Sequence, residues 1–192
     1  MARTRTFDEA DIRALLLRRF HGHGFDGSAL PDLETATGLT RKSLYNAFGD
    51  KKAMFVQALK DFRRCVVAEL TSPLREPEAG LAQIEAMLFS LVEADDVPDG
   101  RYGCLVCNTA REEIRDDPTV QAEIDGYFRK LEADFLAAVE RGQARGEING
   151  RPARDLARLC VSAVASLSLL GKAGQPVEVL RSIAAQTVES LR

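Results

Sequence analysis

The chain has 192 residues, 45% hydrophobic and 29% charged, with a net charge of −3, enough for one sizeable core or for a small domain joined to a larger one. No apolar run reaches the roughly 18 residues that span a bilayer, and the basic N-terminus lacks the apolar stretch of a secretory signal. The four cysteines, Cys65, Cys104, Cys107 and Cys160, are too scattered for a disulfide framework, so a cytoplasmic protein without membrane contact is expected. The charge is unevenly divided. Residues 1–64 hold twelve Lys/Arg against eight Asp/Glu, and residues 65–192 hold fourteen against twenty-one. A basic head on an acidic body points to a polyanion at the head, although an imbalance this modest also arises by chance.

Apolar positions recur at helical spacing along the chain, and strand alternation is absent, so an all-α fold is expected. The first helix spans about Asp8 to His23, with Asp8 as N-cap, Ile12, Leu15, Leu16 and Phe20 on one stripe, and Gly24 as its stop. A short second helix, Leu30 to Thr37, carries Pro31 in its first turn and turns Leu33 and Ala36 inward before Gly38. Thr40 caps a third helix, Arg41 to Phe48, held inward by Leu44 and Phe48. Asp50 caps a fourth that runs to about Leu70. Longer helices follow over 77–94, 103–115, 118–146, 153–170 and 176–191, separated by Pro- and Gly-containing segments. The expected organisation is a three-helix head, residues 1–50, and a helical body, residues 51–192.

The second helix, the Gly38-Leu39-Thr40 turn and the third helix together read as a helix-turn-helix. In that motif the second helix presents its N-terminal face to base edges. Arg41, Lys42, Ser43 and Asn46 occupy that face, and Arg and Lys suit guanine while Asn suits adenine. Thr40, Tyr45, Lys51 and Lys52 flank it with hydroxyls and cations placed for phosphate. A cation at a helix start opposes the helix dipole unless an anion sits nearby. A helical corner with a solvated basic face would share most of this pattern.

The stretch from Phe20 to Phe55 resembles the DNA-binding domain of the TetR family of transcriptional regulators. Phe20, Gly24 and Phe25 match its first turn. Gly38, Leu39 and Thr40 match its second, Leu44, Tyr45 and Phe48 its recognition helix, and Lys51 or Lys52 with Met54 and Phe55 its continuation. The chain departs at Leu33, Glu34 and Thr37, where the family has isoleucine and two alanines. The resemblance implies double-stranded DNA with a palindromic operator as partner, phosphate contacts from Thr40, Tyr45 and Lys51 or Lys52, and base contacts from Arg41, Lys42, Ser43 and Asn46. The arm residues Arg3 and Arg5 could add contacts or remain a solvated tail. It also implies a homodimer through the last two helices, residues 153–191, and a small-molecule effector in the body, with repression as the family default.

In the body, Cys104 and Cys107 stand three apart at a helix start, where thiol pKa falls. The segment is similar to a Gly-Cys-Leu-x-x-Asn motif in one branch of the family, some of whose members sense electrophiles or oxidants through cysteine. Three readings stay open for the pair: packing residues, a thiol sensor, or half of a metal site. His21 and His23 lie in the head and no second Cys pair exists, so no metal and no cofactor is expected. Tyr102, Asn108, Tyr127, Phe128 and Leu131 are candidate liners of an effector pocket, with Phe62, Met87, Leu88 and Phe135 around them. No nucleophile-base set or phosphate-binding loop stands out, so no enzyme is expected. The competing functions are a helical partner-binding module and a thiol redox protein using Cys104 and Cys107. The first would favour a neutral recognition helix, and the second needs a βαβ context that is missing.

Overall fold

The computed structural model describes residues 8–94 and 103–192. Its elements are α1 (Glu9–His23), α2 (Leu30–Thr37), α3 (Arg41–Phe48), α4 (Lys51–Asp61), a π-helical segment (Phe62–Val67) and α5 (Ala68–Leu70). Then come α6 (Leu81–Ala94), α7 (Leu105–Thr109), α8 (Pro118–Ala144), α9 (Ala153–Lys172) and α10 (Val177–Glu189). Single 3-10 turns at Ser72–Arg75 and Glu113–Asp116 join some of them. The expected all-α fold is found, and there is no strand among the described residues.

Side-chain caps set the helix starts. Asp8 accepts the Ala10 N–H at 2.9 Å, Thr40 the Ser43 N–H at 3.4 Å and Asp50 the Ala53 N–H at 2.8 Å. Asp117 starts the longest helix by accepting from Thr119 and Val120. Each such cap contributes about 1 kcal/mol by satisfying an N–H that has no helical partner.

The first four helices close over Phe20, Leu33, Leu44 and Phe55, all fully buried. Phe55 receives the rings of Phe20 and Phe25 edge-on, at centroid distances of 5.1 and 5.2 Å. The expected stripe of α1 holds at Ile12, Leu16 and Phe20 but not at Leu15, which is 40% exposed. The stripe is narrower than its periodicity suggested because only α2 and α4 cover it from the head. In α2, Thr37 rather than Ala36 is the second buried position.

In the body, α8 packs along α9, and α10 packs against α6 and α9. Buried Val120, Ile124, Tyr127, Leu131 and Phe135 mark the inner face of α8 at three- and four-residue spacing. Two expected helices differ. The fourth does not continue regularly to Leu70 but widens into the π-segment. The helix expected over 103–115 ends at Thr109, because Glu112 adopts an extended backbone and sends its side chain to the head. Among the described residues, no helix is long and apolar enough to cross a membrane.

Candidate nucleic-acid interface and the thiol cluster behind it

The corner between α2 and α3 is built from local chemistry. Gly38 takes a left-handed backbone (φ 68°, ψ 9°), which a β-carbon would disfavour, while its N–H bonds to the Glu34 carbonyl at 2.8 Å. Leu39 packs partly buried against the core. The two unusual residues of α2 are both accommodated. The Thr37 hydroxyl donates to the Leu33 carbonyl at 2.7 Å and accepts the Leu39 N–H at 3.3 Å, so its burial leaves no polar atom alone. The Glu34 carboxylate accepts the Arg41 N–H at 2.6 Å, fastening α2 to the first turn of α3.

Leu44 is buried beneath α3, and Arg41, Lys42 and Asn46 are exposed on the opposite side. Ser43 and Tyr45 are half-buried beside them. The Arg41 guanidinium lies 5.3 Å from the centre of the Tyr45 ring and donates to its hydroxyl at 3.4 Å, a stacked pair that holds a cation outward. Thr40 and Ser43 hydroxyls lie 3.1 Å apart. The two lysines of α4 differ from one another. Lys51 sits over the Phe25 ring at 4.1 Å. Lys52 instead reaches Asp117 at the start of α8, at 2.8 Å. Hydrogen bonding to that carboxylate raises the Lys52 pKa and holds the Asp117 carboxyl well below the usual range. Lys52 is therefore engaged with the start of α8 in this structure. Arg3 and Arg5 lie outside the described residues, as does Tyr102.

Cys104, Cys107 and Tyr127 come together behind the head. Cys104 caps α7, its sulfur accepting the Cys107 N–H at 3.5 Å. Cys104 and Tyr127 are buried, and Cys107 is half-buried. A hydrogen bond from the Cys107 thiol lowers the Cys104 pKa to about 7. Burial opposes the shift, and the Tyr127 hydroxyl and nearby backbone N–H groups support it. The same shared proton, with burial, pushes the Cys107 thiol up. The two thiols share one proton, and the sulfur that caps α7 is the more readily ionised of the pair. Burial raises Tyr127 well above the ordinary phenol. Phe128 meets Tyr127 edge-on at 5.0 Å, Leu131 is buried one turn further on, and the Asn108 N–H bonds to the Cys104 carbonyl at 2.9 Å.

The expected liners Met87, Leu88, Leu131 and Phe135 are packed into the core. Among the described residues, no group of three His, Cys, Asp or Glu could hold a metal. Of the other thiols, Cys160 is buried and pushed up to about 12, whereas Cys65 is exposed on the π-segment.

Residues 103–117 also tie the thiol cluster to the head. His21 on α1 meets the Gly103 carbonyl at 2.6 Å, next to Cys104. Glu112 accepts the N–H groups of Phe25 and Asp26 at 2.8 and 2.9 Å. The Lys52–Asp117 pair joins the same segment to the start of α4, so that three contacts are spread along residues 103–117. His21 was legible only as a head residue and Glu112 not at all, since each finds its partner more than eighty positions away.

No family model matches the chain. The uncharacterized HTH-type transcriptional regulator YezE of Bacillus subtilis (strain 168) is 29% identical over 150 residues, 78% of this chain and 77% of that protein. The HTH-type transcriptional repressor ComR of Escherichia coli (strain K12) is 25% identical over 191 residues, 97% of this chain and 90% of its own length. Among solved structures, the TetR family transcriptional regulator CifR, as a cysteine mutant complexed with 26-bp double-strand operator DNA, superposes with a TM-score of 0.88. The two are 22% identical, over 99% of this chain and 100% of that one. The chain has the fold of the TetR-family regulators, a helix-turn-helix region with a helical C-terminal region.

Proposed function

We propose that the chain is a DNA-binding transcriptional regulator that represses by occupying a palindromic operator and is released by a signal received in the body. The observation that carries the reading is the outer face of α3, where Arg41, Lys42 and Asn46 are exposed while Leu44 anchors the helix from below. In this reading residues 1–50 bind DNA and residues 51–192 receive the signal and dimerise. Two copies would join through residues 153–191, where Leu169 and Val179 are 47% and 40% exposed. That pairing would place two α3 helices about one DNA turn (~34 Å) or more apart. Thr40, Ser43 and Tyr45 flank the reading face, and Lys51 stands next to them. Lys52 would contact phosphate only after leaving Asp117. The same reading makes the chain a regulator and not an enzyme.

The thiol cluster supports a reactive signal. A peroxide would be attacked by the Cys104 thiolate, giving a sulfenic acid and releasing hydroxide. The Cys107 thiol would then displace water to close a disulfide, so the peroxide takes up the two electrons that the thiols lose. Closure would rearrange the turn that carries Gly103 and disturb its contact with His21.

The test is binding to the DNA upstream of the chain's own gene, against scrambled DNA, at two salt concentrations, reduced and after mild peroxide treatment. Specific, salt-dependent binding that is lost on oxidation and kept by Cys104→Ser is expected. Specific binding indifferent to oxidation would remove the thiol step and leave the regulator. Absence of specific binding in either state would favour a partner-binding module.

A further inference from the structure

A cavity of about 620 Å³ opens between α8 and the stretch from the end of α4 through the π-segment to Arg75, and no residue of α3 or of the thiol cluster lines it. Five cations surround it: Lys60, Arg63, Arg64, Arg75 and Lys130. Three carboxylates hold some of them from below. Arg64 bonds to buried Asp61 at 2.8 Å, Arg63 lies in ion-pair contact with Glu123 at 3.1 Å, and Arg75 and Lys130 share buried Asp134. Among the described residues, Lys60 has no carboxylate within ion-pair distance, so the cluster keeps two more positive charges than negative ones. Arg75 is further fixed by the Thr71 hydroxyl at 2.9 Å and the Ala68 carbonyl at 2.8 Å. Four of the five cations are thus held by carboxylates, and Lys60 is not.

Two features of the backbone converge on the same place, and both oppose regular helix. The π-segment Phe62–Val67 forms one wall and carries Arg63 and Arg64. Such widened turns are frequent at functional sites. The opposite wall is α8, where Gly126 sits inside a 27-residue helix. A β-carbon at Gly126 would collide with the Arg63 guanidinium. Glycine in a helix interior lowers its stability relative to alanine; here it makes room for a cation. Val67, Ala68 and the aliphatic stems of the basic side chains supply apolar surface between the charges. The volume falls in the range of small-molecule sites and far exceeds what an inorganic anion fills.

From this we infer that the cleft between the π-segment and α8 binds an amphipathic organic anion, its carboxylate or phosphate held by Arg63, Lys130 and Lys60 and its apolar body lying on Val67 and Gly126. The inference goes beyond the proposed regulator by giving the chemical class of a ligand, and its binding arm needs no DNA.

The experiment is calorimetric titration of the intact protein with octanoate, octyl phosphate, inorganic phosphate and octan-1-ol. The two eight-carbon anions should bind saturably at one site per chain, and phosphate and octanol at least about tenfold more weakly, since each loses either the apolar contact or a charge-assisted hydrogen bond. Comparison of the two anions tells carboxylate from phosphate. Gly126→Ala, which favours the helix but displaces Arg63, should weaken the anions about tenfold without lowering the melting temperature. The double variant R63Q/K130Q should weaken them further. Octanol binding as well as octanoate, inorganic phosphate binding as well as octyl phosphate, unchanged affinity in Gly126→Ala, or no binding of any probe would each overturn the inference. Operator binding measured separately, with and without octanoate, decides whether the ligand is an effector, and its outcome leaves the binding result standing.

Discussion

The outer face of α3 and the segment 103–117 are both polar, yet they use their polar groups in opposite ways. On α3, Arg41, Lys42 and Asn46 are exposed, and the one strong restraint on Arg41, stacking on Tyr45, keeps the charge outward. On 103–117, the Gly103 carbonyl, the Glu112 carboxylate and the Asp117 carboxylate are committed to α1, to the turn between α1 and α2, and to α4. A surface whose donors are unspent can accept a ligand. A segment whose donors and acceptors are spent on another part of the chain can only transmit position. Lys42 and Lys52, ten positions apart, show the division in two residues of one type.

Removing cations from the two regions should therefore have unlike effects. Arg41→Ala should weaken specific operator binding by about 1–3 kcal/mol and relax the sequence preference at one base position. Lys42→Ala should weaken it similarly if it reads a base, or uniformly across sequences if it meets phosphate. Lys52→Ala should do less to reduced-state DNA binding and more to the fit of the head on the body, read as a lower melting temperature. Equal losses of DNA affinity from Lys42→Ala and Lys52→Ala, measured by fluorescence anisotropy, would erase the contrast.

A smaller effect is expected from the middle tie. Glu112→Ala removes a carboxylate that accepts two backbone N–H groups of the α1–α2 turn. Hydrogen bonds to a charged group are worth about 1.5–3 kcal/mol each when fully formed, and less at a half-buried site such as this one. The variant should unfold at lower denaturant with α3 unaltered, so that its affinity for DNA falls little while its response to oxidation or ligand falls much. Loss of affinity as large as that of Arg41→Ala would mean that Glu112 shapes the reading face rather than transmitting to it.

The recognition corner was legible because its causes are local. Gly38, Thr40 and Leu44 act within one turn of where they stand, and even the unusual Glu34 and Thr37 find partners within seven residues. The body was legible as helices but not as sites. Leu131 and Phe135 are apolar at helical spacing whether they line a pocket or fill a core, and the structure makes them core. The π-segment has no sequence mark, since it arises from a change of hydrogen-bond register that the same residues could avoid. Lys60, Arg63 and Arg64 were visible as charge on the fourth helix, but Arg75 and Lys130 join them only when α8 packs alongside. Gly126, one of two glycines inside α8, is the local clue at this site.

The weakest expected effect tests the first tie, through pH. Burial lowers the His21 pKa below 6.5, against a smaller opposing pull from its bond to the Gly103 carbonyl, and Lys172 adds a further lowering. Phe62 packs edge-on to the ring at 5.0 Å, which leaves little room for water around an imidazolium. The folded state therefore holds His21 neutral where the unfolded chain would be protonated. Below pH 6.5 the unfolded state binds more protons, so stability falls as pH drops through the window between the unfolded and the lower folded pKa. It levels off beneath the folded value. The slope from this one group is at most about 1.4 kcal/mol per pH unit. His21→Gln keeps a donor for the Gly103 carbonyl and has no charge to gain, so the difference between wild type and variant in denaturant midpoint should shift in favour of the variant on going from pH 7.5 to 5.5. A parallel pH dependence in both proteins would show that His21 does not titrate there, and the contact with Gly103 would then be a fixed strut with no sensitivity to acid.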